Sequence, residues 1–127
     1  MAQPINTYRT ITPYLVVADA ESEIRFLEEA FGATVNLNQR NGDGSVMHAE
    51  LTIGDSQLML GQASELWKPR QAALYLWVPD CDENYHKAIA AGALSESAPE
   101  DKPYGHRNAG VVDPNGIIWW IGSPIAK

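Results

Sequence analysis

The stretch Pro13-Tyr14-Leu15-Val16-Val17-Ala18-Asp19 recurs in outline as Leu74-Tyr75-Leu76-Trp77-Val78-Pro79-Asp80. Each copy is an apolar strand followed by an acidic residue able to cap a helix. Each then enters a helix-like segment, Ala20 to Phe31 or Cys81 to Ala91, that ends at a glycine, Gly32 or Gly92. The separations Asp80 − Asp19 and Val78 − Val17 are both 61. A fixed period with the elements in the same order marks a duplicated unit.

At 127 residues the chain has the size of one domain with a real core. No apolar run approaches the ~18 residues of a membrane span. The start, Met1-Ala2-Gln3-Pro4, lacks the charged and apolar regions of a signal peptide. Cys81 is the only cysteine, so no internal disulfide is expected, and a reducing cytoplasm fits. The formal charge of −7 argues against nucleic acid as a partner and permits a cationic ligand.

After a polar lead-in at 1–7, Tyr8 to Val17 alternates as a strand does. Asp19 is placed to cap a helix in which Ile24, Leu27 and Phe31 recur at helical spacing, and Gly32 supplies a left-handed stop. The period then changes to two. Thr34 to Gln39 reads as a strand, Asn41-Gly42-Asp43-Gly44 as a hairpin turn, Val46 to Ile53 and Gln57 to Gly61 as two more strands. The glycines precede no strand-to-helix step, so they are not a phosphate loop. Ala63 to Gln71 is a polar joint.

The second unit repeats the order. Ala73 to Val78 is a strand, and Asp80 with Glu83 forms a capping box. Tyr85, Ala88 and Ile89 make the helix stripe. Leu94 to Ala98 is a weak strand and Pro99 to Gly105 a polar loop. Arg107 to Val112, the turn Asp113-Pro114-Asn115-Gly116, and Ile117 to Gly122 complete it. The expected fold is therefore α+β: one domain over 1–127 built of two tandem β-α-β-β-β modules, about 8–62 and 72–123.

This order resembles the glyoxalase/bleomycin-resistance/dioxygenase (vicinal oxygen chelate) superfamily, with its PhnB-like branch the nearest match. The residues that carry the resemblance are His48-Ala49-Glu50-Leu51 followed by Ile53-Gly54-Asp55, and Tyr104-Gly105 followed by the Asp-Pro-x-Gly turn and Trp119-Trp120. It spans roughly Thr10 to Pro124. The resemblance implies cupped mixed sheets that face each other or a partner chain, hence a homodimer. It also implies functions ranging from isomerases and ring-cleaving dioxygenases to drug-binding proteins.

Strand alternation assigns the faces. Met47, Ala49, Leu51 and Ile53 should meet a helix, and Val46, His48, Glu50 and Thr52 should point into the cup. Thr12, Tyr14 and Val16 share that inward face, as do Ala73, Tyr75 and Trp77 in the second unit. Asn108, Gly110 and Val112 correspond to His48, Glu50 and Thr52 at a separation of 60, which one extra residue in the first helix region would explain. The four metal positions that the resemblance implies fall at about Thr12, Met59, Ala73 and Trp120. None is an imidazole or carboxylate, so no metal and no cofactor is expected.

Aromatic surface stands where the metal would be. Tyr14, Tyr75, Trp77 and Trp120, with Met59 beside them, are candidate ligand-binding residues. They offer flat area for planar or cationic groups, or else simply fill the cup. Trp119, on the other face, belongs to the core. His48, Glu50 and Asn108 are the polar candidates. His48 and Glu50 could also transfer protons or hold a displaced metal with His106, or Glu50 could pair with Arg40 or Arg107. His86 should be solvated. Cys81 sits in a first helical turn, where a thiol pKa can fall, though packing is the simpler role. The reading is a metal-independent, cytoplasmic, dimeric small-molecule-binding protein. The alternative is a lyase or isomerase using His48 and Glu50.

Overall fold

The computed structural model describes residues 8–125. The element order is β1 (Tyr14–Val17), α1 (Ala20–Phe31), β2 (Thr34–Arg40), β3 (Val46–Ile53), β4 (Ser56–Gln62), β5 (Ala73–Trp77), α2 (Cys81–Ala90), β6 (Leu94–Asp101), β7 (His106–Val112) and β8 (Ile118–Pro124). This is the duplicated β-α-β-β-β order. The described chain divides into two compact units, residues 8–28 with 32–70, and residues 29–31 with 71–125. Each unit carries one four-stranded mixed sheet, ordered β1-β4-β3-β2 in the first and β5-β8-β7-β6 in the second. The expected lead-in at 1–7 lies outside the described residues.

Both helices start as their sequences dictate. Asp19 and Asp80 have extended backbones, and their carboxylates accept from the amides of Ser22 and Glu83. Gly32 stops α1 in the left-handed region at φ 68°. α2 differs from the expectation: Ala91 is its cap at φ −83°, and Gly92 turns left-handed one residue later. The Gln62 side chain ties the end of β4 to the start of α1, accepting from Ala20 N at 2.9 Å and donating to Ala18 O. Alternation delivers the core face of each sheet: Leu15, Val17, Ala49, Leu51, Leu58 and Leu60 in the first unit, Ala109, Val111, Trp119 and Ile121 in the second, all buried.

Three features depart most from the sequence reading. β1 is only four residues, because Tyr8 to Thr12 leaves the sheet; Thr12 Oγ1 turns back to Arg9 O at 3.1 Å, and Pro13, whose carbonyl still accepts from Met59 N at 2.9 Å, has no N–H to give a ladder. β6 runs on to Asp101 through residues expected in a loop, held by pairing of Glu100 with Asn108 and Asp101 with Arg107. β3 contains a bulge. Gln39 pairs with His48 but Arg40 pairs with Val46, so Met47 is an extra residue. Everything before the bulge changes sides. Val46 is 1% exposed, in the core, and Met47 is 44% exposed, the reverse of the expected faces.

Candidate functional site

The first unit holds a cavity of about 530 Å³, within the range of roughly 300–1,000 Å³ usual for small-molecule sites. Tyr14 and Val16 of β1 line it, with Met47 of β3 and Gly61 and Gln62 of β4. Asn41 of the hairpin turn and Ser64 and Trp67 of the loop after β4 complete it. Gly61 is needed there: a Cβ would lie 2.9 Å from Met47 O and 3.0 Å from the Tyr14 hydroxyl. The loop that carries Trp67 is tied down. Arg70 N donates to Val16 O at 3.0 Å, Ala63 N to Val17 O at 2.8 Å, and Ser64 N to Trp67 O at 2.8 Å. Trp67 itself is 66% exposed. No lining side chain carries a formal charge.

A polar chain runs back from the cavity wall. The Tyr14 hydroxyl is 3.2 Å from His48 Nδ1, with the two rings stacked at 5.6 Å. His48 Nε2 is 2.8 Å from Glu50 Oε2, and the Tyr8 hydroxyl donates to Glu50 Oε1 at 2.6 Å. The bond from Tyr8, then that from His48, hold the nearly buried Glu50 carboxyl below the usual carboxylate range despite its desolvation. Burial first, and then Glu50, push the Tyr8 phenol up to about 12. Glu50 is thus an ionised, acceptor-only group, so His48 Nε2 carries a hydrogen. The expected arginine partners of Glu50 are engaged elsewhere. Arg40 pairs with Glu21, and Arg107 grips Asp82 and Asp101.

The second unit builds a different arrangement on the same strands. Tyr75, Trp77 and Tyr104, all exposed, surround His106 with ring centroids 5.8, 4.8 and 5.2 Å from it. The Tyr75 hydroxyl is 3.0 Å from His106 Nδ1. Asn108, 3% exposed, donates through Nδ2 to the Tyr104 hydroxyl at 2.8 Å, and its Oδ1 is buried without a partner. Half-buried Trp120 lies on Gly110, where a Cβ would come within 2.5 Å of the indole. Trp119 is 3% exposed and donates Nε1–H to the buried Asp113 carboxylate at 2.9 Å. A hollow of about 370 Å³ beside Ala73 and Ile118 includes none of these rings.

The structure therefore brings Tyr14, His48 and Glu50 together, and within the second unit it gathers Tyr75, Trp77 and Asn108. Met59 is half-buried opposite Tyr14 and Glu50 but does not line the cavity. Sequence reasoning missed Trp67, Ser64 and Asn41, placed Met47 on the wrong face, and gave Tyr104 no role. A lone indole in an otherwise polar joint was the available signal for Trp67. His86 is exposed, as expected. The Cys81 thiol is buried 3.2 Å from Ile121 O, and burial, with Asp82 next, pushes it up rather than down. Among the described residues no three His, Cys, Asp or Glu side chains gather to hold a metal. No described helix is long and apolar enough to cross a membrane.

Comparison with known proteins bears on this geometry. A model of the Glyoxalase/Bleomycin resistance protein/Dioxygenase superfamily matches residues 6–121. An uncharacterized protein of Mycobacterium bovis is 35% identical over 135 residues, covering 97% of this chain and 88% of its own. The crystal structure of TioX from Micromonospora sp. ML1 is similar at a TM-score of 0.78 and 26% identity, over 92% of this chain and 99% of that one. TnmS3, an antibiotic binding protein from Streptomyces sp. CB03234, gives 0.73 and 21% over 96% of this chain and all of its own.

Proposed function

The chain belongs to the Glyoxalase/Bleomycin resistance protein/Dioxygenase superfamily, and on that premise we propose that it binds and sequesters a small planar compound, aromatic or cationic, without a metal. The observation that carries this reading is the first unit's cavity of about 530 Å³, walled by Trp67, Tyr14, Met47 and Val16 with a few neutral polar groups. Mostly apolar walls with sparse polar groups suit a flat ring system, and each stacked pair contributes about 0.5–1.5 kcal/mol beyond area burial. TnmS3 supplies a precedent for antibiotic binding on this fold. Cytoplasmic location and a twofold dimer belong to the same reading.

A second reading has its own observation. The linked Tyr8, Glu50, His48 and Tyr14 form a proton-transfer chain, which favours a lyase or isomerase acting on a compound beside Tyr14. Tryptophan fluorescence titration with 9-aminoacridine, flat and cationic, and 2-acetylnaphthalene, flat and neutral, tests the binding reading. Saturable quenching by either, weakened at least tenfold in Trp67→Ala, is expected. Quenching that never saturates with either probe contradicts it. Light scattering at tens of micromolar should give twice the chain mass, and a monomer mass removes the dimer from the reading.

A further inference from the structure

We propose, resting on the binding reading above, that the cavity of the first unit selects a planar ligand bearing a neutral hydrogen-bond acceptor such as a carbonyl oxygen, and that binding takes up a proton at His48. The lining side chains divide into fixed and switchable ones. Val16, Met47 and Trp67 carry no acid–base group. Gln62 has both ends committed, to Ala20 N and Ala18 O. Asn41 Nδ2 donates to Ser45 Oγ at 2.9 Å, and Ser64 Oγ accepts from Trp67 N at 3.0 Å. Tyr14 alone among the lining side chains is bonded to an imidazole.

The sense of that bond depends on one proton. Glu50 fixes a hydrogen on His48 Nε2, so a second proton taken up by the ring must sit on Nδ1. With Nδ1 bare, the Tyr14 O–H is donated to it, and the phenol offers the cavity only lone pairs. With Nδ1 protonated, the imidazolium donates to the phenol oxygen, and the Tyr14 O–H is free to turn toward the cavity. A ligand acceptor beside Tyr14 gains a donor only in the second state, so its binding draws a proton onto His48. The surroundings of His48 permit this. β1 presents Tyr14, β3 presents Glu50, the leading segment presents Tyr8 behind Glu50, and β2 presents uncharged Gln39 opposite. Arg40, beside Gln39 on β2, is held by Glu21 and Gly44 O. The protonated imidazole beside ionised Glu50 is a neutral pair, which suits a carbonyl better than a full anion. A cationic ligand would reverse the sign and release a proton.

Isothermal titration calorimetry from pH 5 to 8, in two buffers of different ionisation enthalpy, tests this with 2-acetylnaphthalene and its isostere 2-ethylnaphthalene, neither of which titrates in that range. The ketone should weaken as pH rises, by up to about tenfold per pH unit, with uptake approaching one proton per ligand. The hydrocarbon should bind independently of pH. His48→Gln should keep ketone binding but lose its pH dependence, and Tyr14→Phe should abolish the ketone's advantage over the hydrocarbon. Ketone binding with no proton uptake overturns this inference and leaves the binding reading standing. Failure of both probes to bind at any pH overturns this inference, and the binding reading falls with it only where 9-aminoacridine also fails to bind.

Discussion

The two units start from one device and finish it differently. In each, a tyrosine of the first strand lies against a glycine of the last and bonds a histidine of the third: Tyr14, Gly61 and His48, then Tyr75, Gly122 and His106. The ladders locate the divergence. Met59 is paired with both Tyr14 and Glu50, whereas Trp120 is paired with both Tyr75 and Gly110. A thioether facing a carboxylate in one unit becomes an indole facing a glycine in the other. The indole needs that glycine, since a Cβ at Gly110 would fall 2.5 Å from it. The first unit instead spends its third strand on a bulge at Met47 and an ionised Glu50 satisfied by Tyr8 and His48. A duplicated motif thus keeps its strand order while a bulge, a following loop and one exchanged large–small pair make the two copies differ.

The largest stability difference is expected at the paired tryptophans. Trp119→Ala should cost about 3–5 kcal/mol by denaturant unfolding, from a core cavity and the lost bond to Asp113. Trp120→Ala should cost less, because its ring is half-exposed. The reverse order would mean that the strand's faces are misassigned. Next comes Gly110→Ala, expected to cost about 1–3 kcal/mol by overpacking against Trp120. That cost should shrink in the double variant with Trp120→Ala, and an additive double-mutant cycle would remove the large–small argument.

In the first unit, Glu50→Gln should lose about 1–2 kcal/mol of stability at pH 7. The sign follows from linkage. Because the folded carboxyl is depressed, its stabilisation is complete above the ordinary carboxylate pKa and disappears as pH falls through the lower folded value. Glu50→Gln should therefore flatten the acid limb of stability against pH. Tyr8 runs oppositely. Its phenol is raised from 10.0 to about 12, so its contribution is present below pH 10.0 and lost as pH rises to about 12. Tyr8→Phe should flatten that alkaline limb, and an unchanged limb would refute the assigned coupling. The smallest stability effect is Trp67→Ala, within about 0.5 kcal/mol by thermal unfolding because the ring is exposed, although ligand quenching should fall.

What the sequence made legible was whatever local chemistry decides. Asp19 and Asp80 announce helix starts because a carboxylate must satisfy free amides, and Asp113-Pro114-Asn115-Gly116 announces a turn because Asp113 accepts from the amides of Asn115 and Ile117. The 61-residue period gave the duplication, and the shift to 60 between Glu50 and Gly110 is recovered in a β3–β4 turn one residue shorter than its β7–β8 counterpart: 59 − 50 is nine steps, 120 − 110 is ten. What stayed illegible depended on distant partners. Met47 is turned outward by a bulge that exists only in the pairing with β2, and no alternation rule within β3 contains it. Glu50 is satisfied by Tyr8, 42 residues away, rather than by an arginine. Trp67 lines the cavity because hydrogen bonds to Val16 and Val17 hold its loop, and the lone indole of that joint does not by itself state where the loop is held.

The proposed ligand site is the first unit's cavity rather than the second unit's rings. Met47→Trp tests it most directly, because Met47 is exposed on the cavity wall and a larger ring there fills the space at little cost to the fold. Calorimetric titration of this variant with 2-acetylnaphthalene should show binding lost, with the unfolding midpoint near that of the wild type, while Trp77→Ala binds as the wild type does. Undiminished binding by Met47→Trp, together with loss in Trp77→Ala, would contradict the claim and move the site to the second unit.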